Sequence, residues 1–108
     1  ICTYNLKPGA RERFARIASE EVMPMLARWG TDVVRHGPSA HDEDTYFLIR
    51  AYASLDDRQQ RQDAFYGSDE WVHGPRASIL GLIENFTSLV VELDASTLAG
   101  LRDEVEQA

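Results

Sequence analysis

The sequence predicts an α+β fold in which a single four-stranded antiparallel sheet carries two helical connections. Three features lead there. A short β-prone segment opens the chain, an apolar run occupies 45–52, and a β-rich run precedes residue 94, while helical periodicity fills the two long gaps.

The opening Ile1-Cys2-Thr3-Tyr4-Asn5-Leu6 meets Lys7-Pro8-Gly9, a strand followed by a turn. From Ala10 the apolar positions Phe14, Ile17, Val22, Met25, Leu26 and Trp29 fall near helical spacing, with arginines and glutamates between them. Pro24 lies inside this helix. It lacks an amide and crowds the carbonyl of Glu20, which predicts a kink or a break. Gly30 can supply the left-handed residue that ends the helix. A second strand is expected over Thr31–His36, then a polar loop from Gly37 to Asp44. Thr45–Tyr52 shows little alternation and reads as a central strand covered on both faces. Its pleat puts Tyr46, Leu48, Arg50 and Tyr52 on one side and Thr45, Phe47, Ile49 and Ala51 on the other.

Ser54-Leu55-Asp56-Asp57 has the form of a capping box at the start of a mostly polar helix through Arg58, Gln62 and Phe65. Gly67 interrupts that helix, and Ser68 can cap a fresh turn through Trp71. Gly74-Pro75 interrupts again before Ile79, Leu80, Leu82 and Ile83, which are expected to complete the buried face. A last strand is expected over Asn85–Leu93. A tail helix follows, capped at Asp94 or Ser96, with Leu98, Leu101 and Val105 on one stripe.

The resulting order, β-α-β-β-α-β, is the split-βαβ signature of ferredoxin-like folds, and right-handed crossovers put both helical layers on one sheet face. The strands nevertheless remain apolar on both sides, so the other face is expected to be covered by a second copy, giving a homodimeric α/β barrel. The tail helix is an alternative cover for part of that face.

Composition narrows the function classes. At 108 residues the chain suits a single domain, 1–108, with 94–108 as its helical tail. Eleven Lys and Arg against eighteen Asp and Glu give a net charge of −7, which disfavours nucleic acid and anionic membranes as partners. Cys2 is the only cysteine, so neither an intramolecular disulfide nor a cysteine-rich zinc site is available. No apolar run approaches the ~20 residues that span a bilayer, and no charged-then-apolar signal opens the chain, which points to the cytoplasm. Asn85-Phe86-Thr87 matches a glycosylation sequon and is read as coincidence in that setting.

Leu6-Lys7-Pro8-Gly9 with Phe14, then Tyr46–Tyr52 running into Ser54-Leu55-Asp56-Asp57-Arg58, then Phe65-Tyr66-Gly67-Ser68-Asp69-Glu70-Trp71, resembles the NIPSNAP proteins of the dimeric α/β-barrel superfamily. The likeness extends to about Leu93. It implies the fold and dimerisation; the wider superfamily includes cofactor-independent oxygenases, isomerases, dehalogenating enzymes and haem proteins, and fold alone selects none of them. This chain departs from the family at Arg50-Ala51-Tyr52, where other members tend to carry an aromatic pair flanking one residue, so the resemblance gives Arg50 no ligand role.

The residues themselves suggest where a ligand would sit. Arg50 and Tyr52 on the central strand, with Tyr66, Trp71 and Arg76 from the broken helix, are candidates to line a cleft between sheet and helices. There an arginine would hold an anion and aromatic rings would supply contact area. The bland alternative is that the aromatics are core or dimer interface and Arg50 pairs with an acid such as Glu92. His36 and Tyr46 are the candidate proton carriers. His36, His41 and Asp42-Glu43-Asp44 lie close in sequence but match no standard metal spacing, and no metal or cofactor is expected. No nucleophile elbow, Walker loop or dinucleotide fingerprint occurs. Two classes of function remain: a small-molecule enzyme without a cofactor, and a non-catalytic binding module.

Overall fold

The computed structural model describes residues 1–107, with side chains through Arg102. The chain runs β1 (Cys2–Leu6), α1 (Arg11–Ile17), a π-helical segment (Ala18–Val22), α2 (Met23–Arg28), β2 (Asp32–Pro38) and β3 (Thr45–Ala51). It continues through α3 (Leu55–Tyr66), α4 (Asp69–Val72), α5 (Arg76–Leu80), β4 (Ile83–Ser88) and α6 (Ala95–Gln107). All four strands form one antiparallel sheet in the order β2-β3-β1-β4, the ferredoxin-like arrangement. Hence β1 lies inside the sheet, not at its edge.

The turn after β1 is built on Gly9, whose φ of 77° only glycine adopts without strain. Gly30, at φ 78°, ends the first crossing in the same way. Between these glycines, Pro24 leaves Glu20 without its usual helical donor. The ladder slips there: the Met23 amide reaches back five residues to the Ala18 carbonyl, which makes the π-helical segment. The helical hydrogen bonding therefore slips at Pro24 and does not end there, and the crossing buries Phe14, Ala18, Val22, Met25 and Leu26 on the sheet.

The second crossing has more breaks. Ser54 Oγ accepts from the Asp57 amide at 3.0 Å, and Asp57 Oδ2 accepts in return from the Ala53 amide at 3.0 Å. With Arg61 also bonded to it, the Asp57 carboxyl is held below the usual range, chiefly by the Ala53 amide. Gly67 ends α3; Ser68 caps α4; Gly74 and Pro75 separate α4 from α5. Leu80 is exposed and Ile83 already belongs to β4, so the expected helical face stops at Ile79.

Two strands have different limits from those expected. β2 reaches Pro38, beyond His36, because Gly37 and Pro38 pair with Phe47 and Tyr46. β4 starts at Ile83 and ends at Ser88, not Leu93: its register with β1 runs from Ile83 opposite Leu6 to Ser88 opposite Cys2, and Ile1 and Leu89 exchange backbone bonds beyond it. Leu89, Val90, Val91 and Leu93 are exposed and irregular. Asp94 then caps α6 by accepting from the Thr97 amide at 2.7 Å, and α6 folds back against β2, where Arg102 bonds Asp32 at 2.5 Å. Leu98 and Leu101 are half-buried; Val105 lies beyond the described side chains.

The core sits between the sheet and the helices. Cys2 and Leu6 from β1 and Tyr46 and Leu48 from β3 project into it, as the pleat requires. The opposite face is mixed in character. Phe47, Ile49 and Ala51 on β3 are half-buried, but the flanking strands present Thr3, Asn5, Asn85 and Thr87, and Asn5 donates to Asn85 at 2.6 Å. No helix of the described residues is long and apolar enough to cross a membrane.

Candidate functional site

The alternation of β3 delivers Tyr46, Leu48 and Arg50 in sequence along the helix-covered face. At one end of that row Tyr46 is fully buried. Its hydroxyl lies 2.6 Å from His36 Nδ1 on the neighbouring strand and packs edge-on to Phe14 at 5.1 Å. Burial raises the Tyr46 phenol, partly offset by a hydrogen bond from Ser19 in the π-helical segment. Burial lowers His36, so its imidazole is the neutral partner in this pair.

At the other end, the Arg50 guanidinium donates to the Tyr66 hydroxyl at 2.8 Å. Burial works against its charge, but the phenols of Tyr66, Tyr52 and Tyr4 outweigh that effect and raise its pKa above the usual value. Tyr66 is held by its place at the end of α3. Gly67 then turns the chain, and Ser68 Oγ both donates to the Phe65 carbonyl at 2.6 Å and accepts from the Trp71 amide at 3.2 Å. This double bond pattern swings Trp71 back inward, where its ring sits 5.3 Å from Phe65 and edge-on to Tyr66 at 5.5 Å.

Between these groups lies an inner cavity of about 420 Å³, lined among others by Tyr4, Leu26, Leu48, Phe65, Trp71 and Phe86. Its volume falls within the range of small-molecule sites, roughly 300–1,000 Å³. A second, outer cavity of about 660 Å³ lies over the sheet end, beneath Leu89–Leu93 with Leu98 and Leu101. Cys2, Arg50, Arg58, Gln62 and Ser88 line both, so the two spaces adjoin across these mostly polar residues, which form a neck between them.

Of the residues singled out from sequence, Arg50, Tyr66 and Trp71 come together on the inner cavity, with Tyr46 deeper in its wall. Tyr52 lines only the outer cavity, and its hydroxyl accepts from Gln62 at 3.4 Å. Arg76 is exposed on α5 and lines neither space; α5 brings Ile79 and Leu80 to the inner cavity instead. His36 lies behind Tyr46, outside both linings. Glu92 reaches the outer cavity without bonding Arg50, whose hydrogen bond goes to a neutral hydroxyl instead. His41 lies 3.0 Å from the Ser39 hydroxyl and Asp42 accepts from the Asp44 amide, so these loop groups serve the loop itself. Among the described residues no three His, Cys, Asp or Glu side chains are placed to hold a metal ion.

Sequence reasoning missed Arg58 and Gln62. A signal was present, since positions 58, 62 and 65 share one helical stripe, and the spacing that turns Phe65 inward brings these two to the neck.

No protein-family model and no curated protein matches the chain. Solved structures do. An uncharacterised NIPSNAP domain protein from Burkholderia xenovorans superposes with a TM-score of 0.78 at 15% identity, covering 87% of this chain and 91% of that one. A NIPSNAP family protein from Agrobacterium tumefaciens gives a TM-score of 0.78 at 20% identity, over 90% and 86% of the two chains. Another from the same organism, of unknown function, gives 0.78 at 24% identity, over 85% and 83%. The chain has the fold of the NIPSNAP family, in agreement with the resemblance carried by its motifs; at these identities the likeness is one of fold.

Proposed function

We propose that this chain is one domain of a homodimeric NIPSNAP-like α/β-barrel protein that binds a small aromatic or carboxylated molecule in the inner cavity. One observation carries the binding half: an aromatic-lined space of ligand size opens beside a guanidinium whose own hydrogen bond is to a neutral hydroxyl. The dimer rests on the half-buried Phe47, Ile49 and Ala51 of the sheet face opposite the two crossings, a face that α6 shares at the outer cavity, and on the exposed leucines and valines of 89–93. A cytoplasmic location belongs to the same reading; Cys2 is a buried free thiol.

The test uses the intact protein and neutral and acidic naphthalene derivatives. A ligand confined to the native state raises the unfolding temperature, by about 2.7 kcal/mol of stabilisation at a hundredfold excess over its Kd. Trp71→Leu should abolish the rise; no rise with any probe sinks the reading. Sedimentation equilibrium with Phe47→Asp tests the dimer, which should dissociate. A wild-type chain that is monomeric at micromolar concentration removes it.

A second reading, a cofactor-independent enzyme of monooxygenase or isomerase type, is favoured by the His36–Tyr46 contact. It joins a hydroxyl in the cavity wall to an imidazole behind it, a route by which a proton can leave a bound molecule. Turnover of any molecule found to bind, lost in Tyr46→Phe, selects this reading over simple binding.

A further inference from the structure

We infer that the ligand of the cleft is an apolar molecule with a single anionic head of carboxylate type, gripped between Arg50 and Arg58 at the neck, its apolar body lying in the inner cavity. The inference rests on the binding reading above and adds the head group, its position and a second anchor.

The distribution of charge partners leads to it. Arg28 pairs with Glu70, Arg61 with Asp57 and Arg102 with Asp32, and Arg13, Arg16 and Arg76 are exposed to solvent. The two arginines at the neck have neither an acid among the described residues nor full exposure. Arg50 bonds a phenol, and Arg58 has no carboxylate partner among the described residues. Both are half-buried, and Arg50 is held by a neutral hydroxyl, so a bound anion would supply the full opposite charge that the neck itself lacks. No carboxylate among the described residues lines the inner cavity, so its electrostatics favour an anion over a cation, while Glu92 sits only on the outer one. Gln62 Nε2, which gives one hydrogen to the Tyr52 hydroxyl, keeps a second as a neutral donor beside the guanidiniums. Behind this polar ring the wall turns apolar, through Phe14, Leu26, Leu48, Phe65 and Trp71. The order of surfaces, cationic at the mouth and aromatic within, orients an amphipathic acid with its head outward.

Calorimetric titration of the intact protein with 2-naphthoate, its neutral amide and its aminomethyl analogue separates the possibilities. The acid should bind at least about tenfold more tightly than the amide, the scale of a charged hydrogen bond, and the amine weakest. Arg58→Gln should weaken the acid by about the same factor and leave the amide unchanged. This variant alters a group with no hydrogen bond to maintain among the described residues and replaces it with a good helix former, so it retains the fold even if Arg50→Gln does not. Equal affinity for acid and amide, or equal loss of both in Arg58→Gln, overturns the head-group assignment while leaving the cleft as a binding site. No binding of any of the three overturns both.

Discussion

The two crossings that cover the sheet solve the same problem differently. The first, Arg11–Arg28, is continuous through its π-helical segment and lays five buried side chains on the strands. The second, Leu55–Leu80, is longer, yet it buries only Phe65, Trp71 and Ile79 from its three helices, with Gly67 and Gly74-Pro75 between them. A continuous amphipathic face packs residue by residue; a broken one pins itself at a few large anchors. The inner cavity lies among those anchors, the sheet and the first crossing's Phe14, Ala18, Val22 and Leu26. Each crossing also carries one polar tie to the core face of β3, Ser19–Tyr46–His36 under the first and Arg50–Tyr66 under the second.

The largest effects should come from the anchors. Phe65, only 1% exposed, and Leu26, 2% exposed, represent the two crossings. Replacing either by alanine should cost about 3–5 and 2–5 kcal/mol respectively in urea unfolding. A loss at Phe65 far below that at Leu26 would show that the second crossing merely drapes over the sheet, and the comparison would collapse.

Glycine substitutions probe whether the breaks are required. A Cβ at Gly74 would collide with the Glu70 carbonyl, whereas one at Gly100 in α6 would meet nothing within 4 Å. Gly74→Ala should therefore destabilise by about 1–3 kcal/mol, and Gly100→Ala should stabilise by about 0.4–1 kcal/mol. If Gly74→Ala is tolerated as well as Gly100→Ala, the separation of α4 from α5 is incidental.

The smallest expected effect lies under the first crossing. The folded pKa of His36 is lowered below its ordinary 6.5 by burial, so the unfolded chain binds the proton more readily. Its contribution to stability is complete above about pH 6.5 and declines as pH falls from there through the folded pKa. Melting temperature should fall over that window in the wild type and fall less in His36→Gln. An identical slope in both would mean that the imidazole is as well solvated folded as unfolded.

Much of this was legible in the sequence because it depends on local chemistry. The strand–helix order, the turn at Gly9, the stop at Gly30, the Ser54 and Ser68 caps and the grouping of Tyr46, Leu48 and Arg50 on one side of β3 all follow from backbone preferences and from the two-residue pleat. So does the expectation that Arg50, Tyr66 and Trp71 share a cleft between sheet and broken helix. What depends on a distant partner was not legible. Leu89–Leu93 has the composition of a strand but lies outside β4, which ends at Ser88. Arg76 was grouped with the cleft by nearness in sequence, and the turn at Pro75 carries it to the surface. Arg58 gains its place only because α3 turns that stripe inward, so that Arg58, Gln62 and Phe65 line the same cavity as Arg50. Local propensity determines which segments can be strands or helices; which groups meet, and which arginines go without an acid, is set by packing between residues far apart in the chain, and only the tertiary structure decides it.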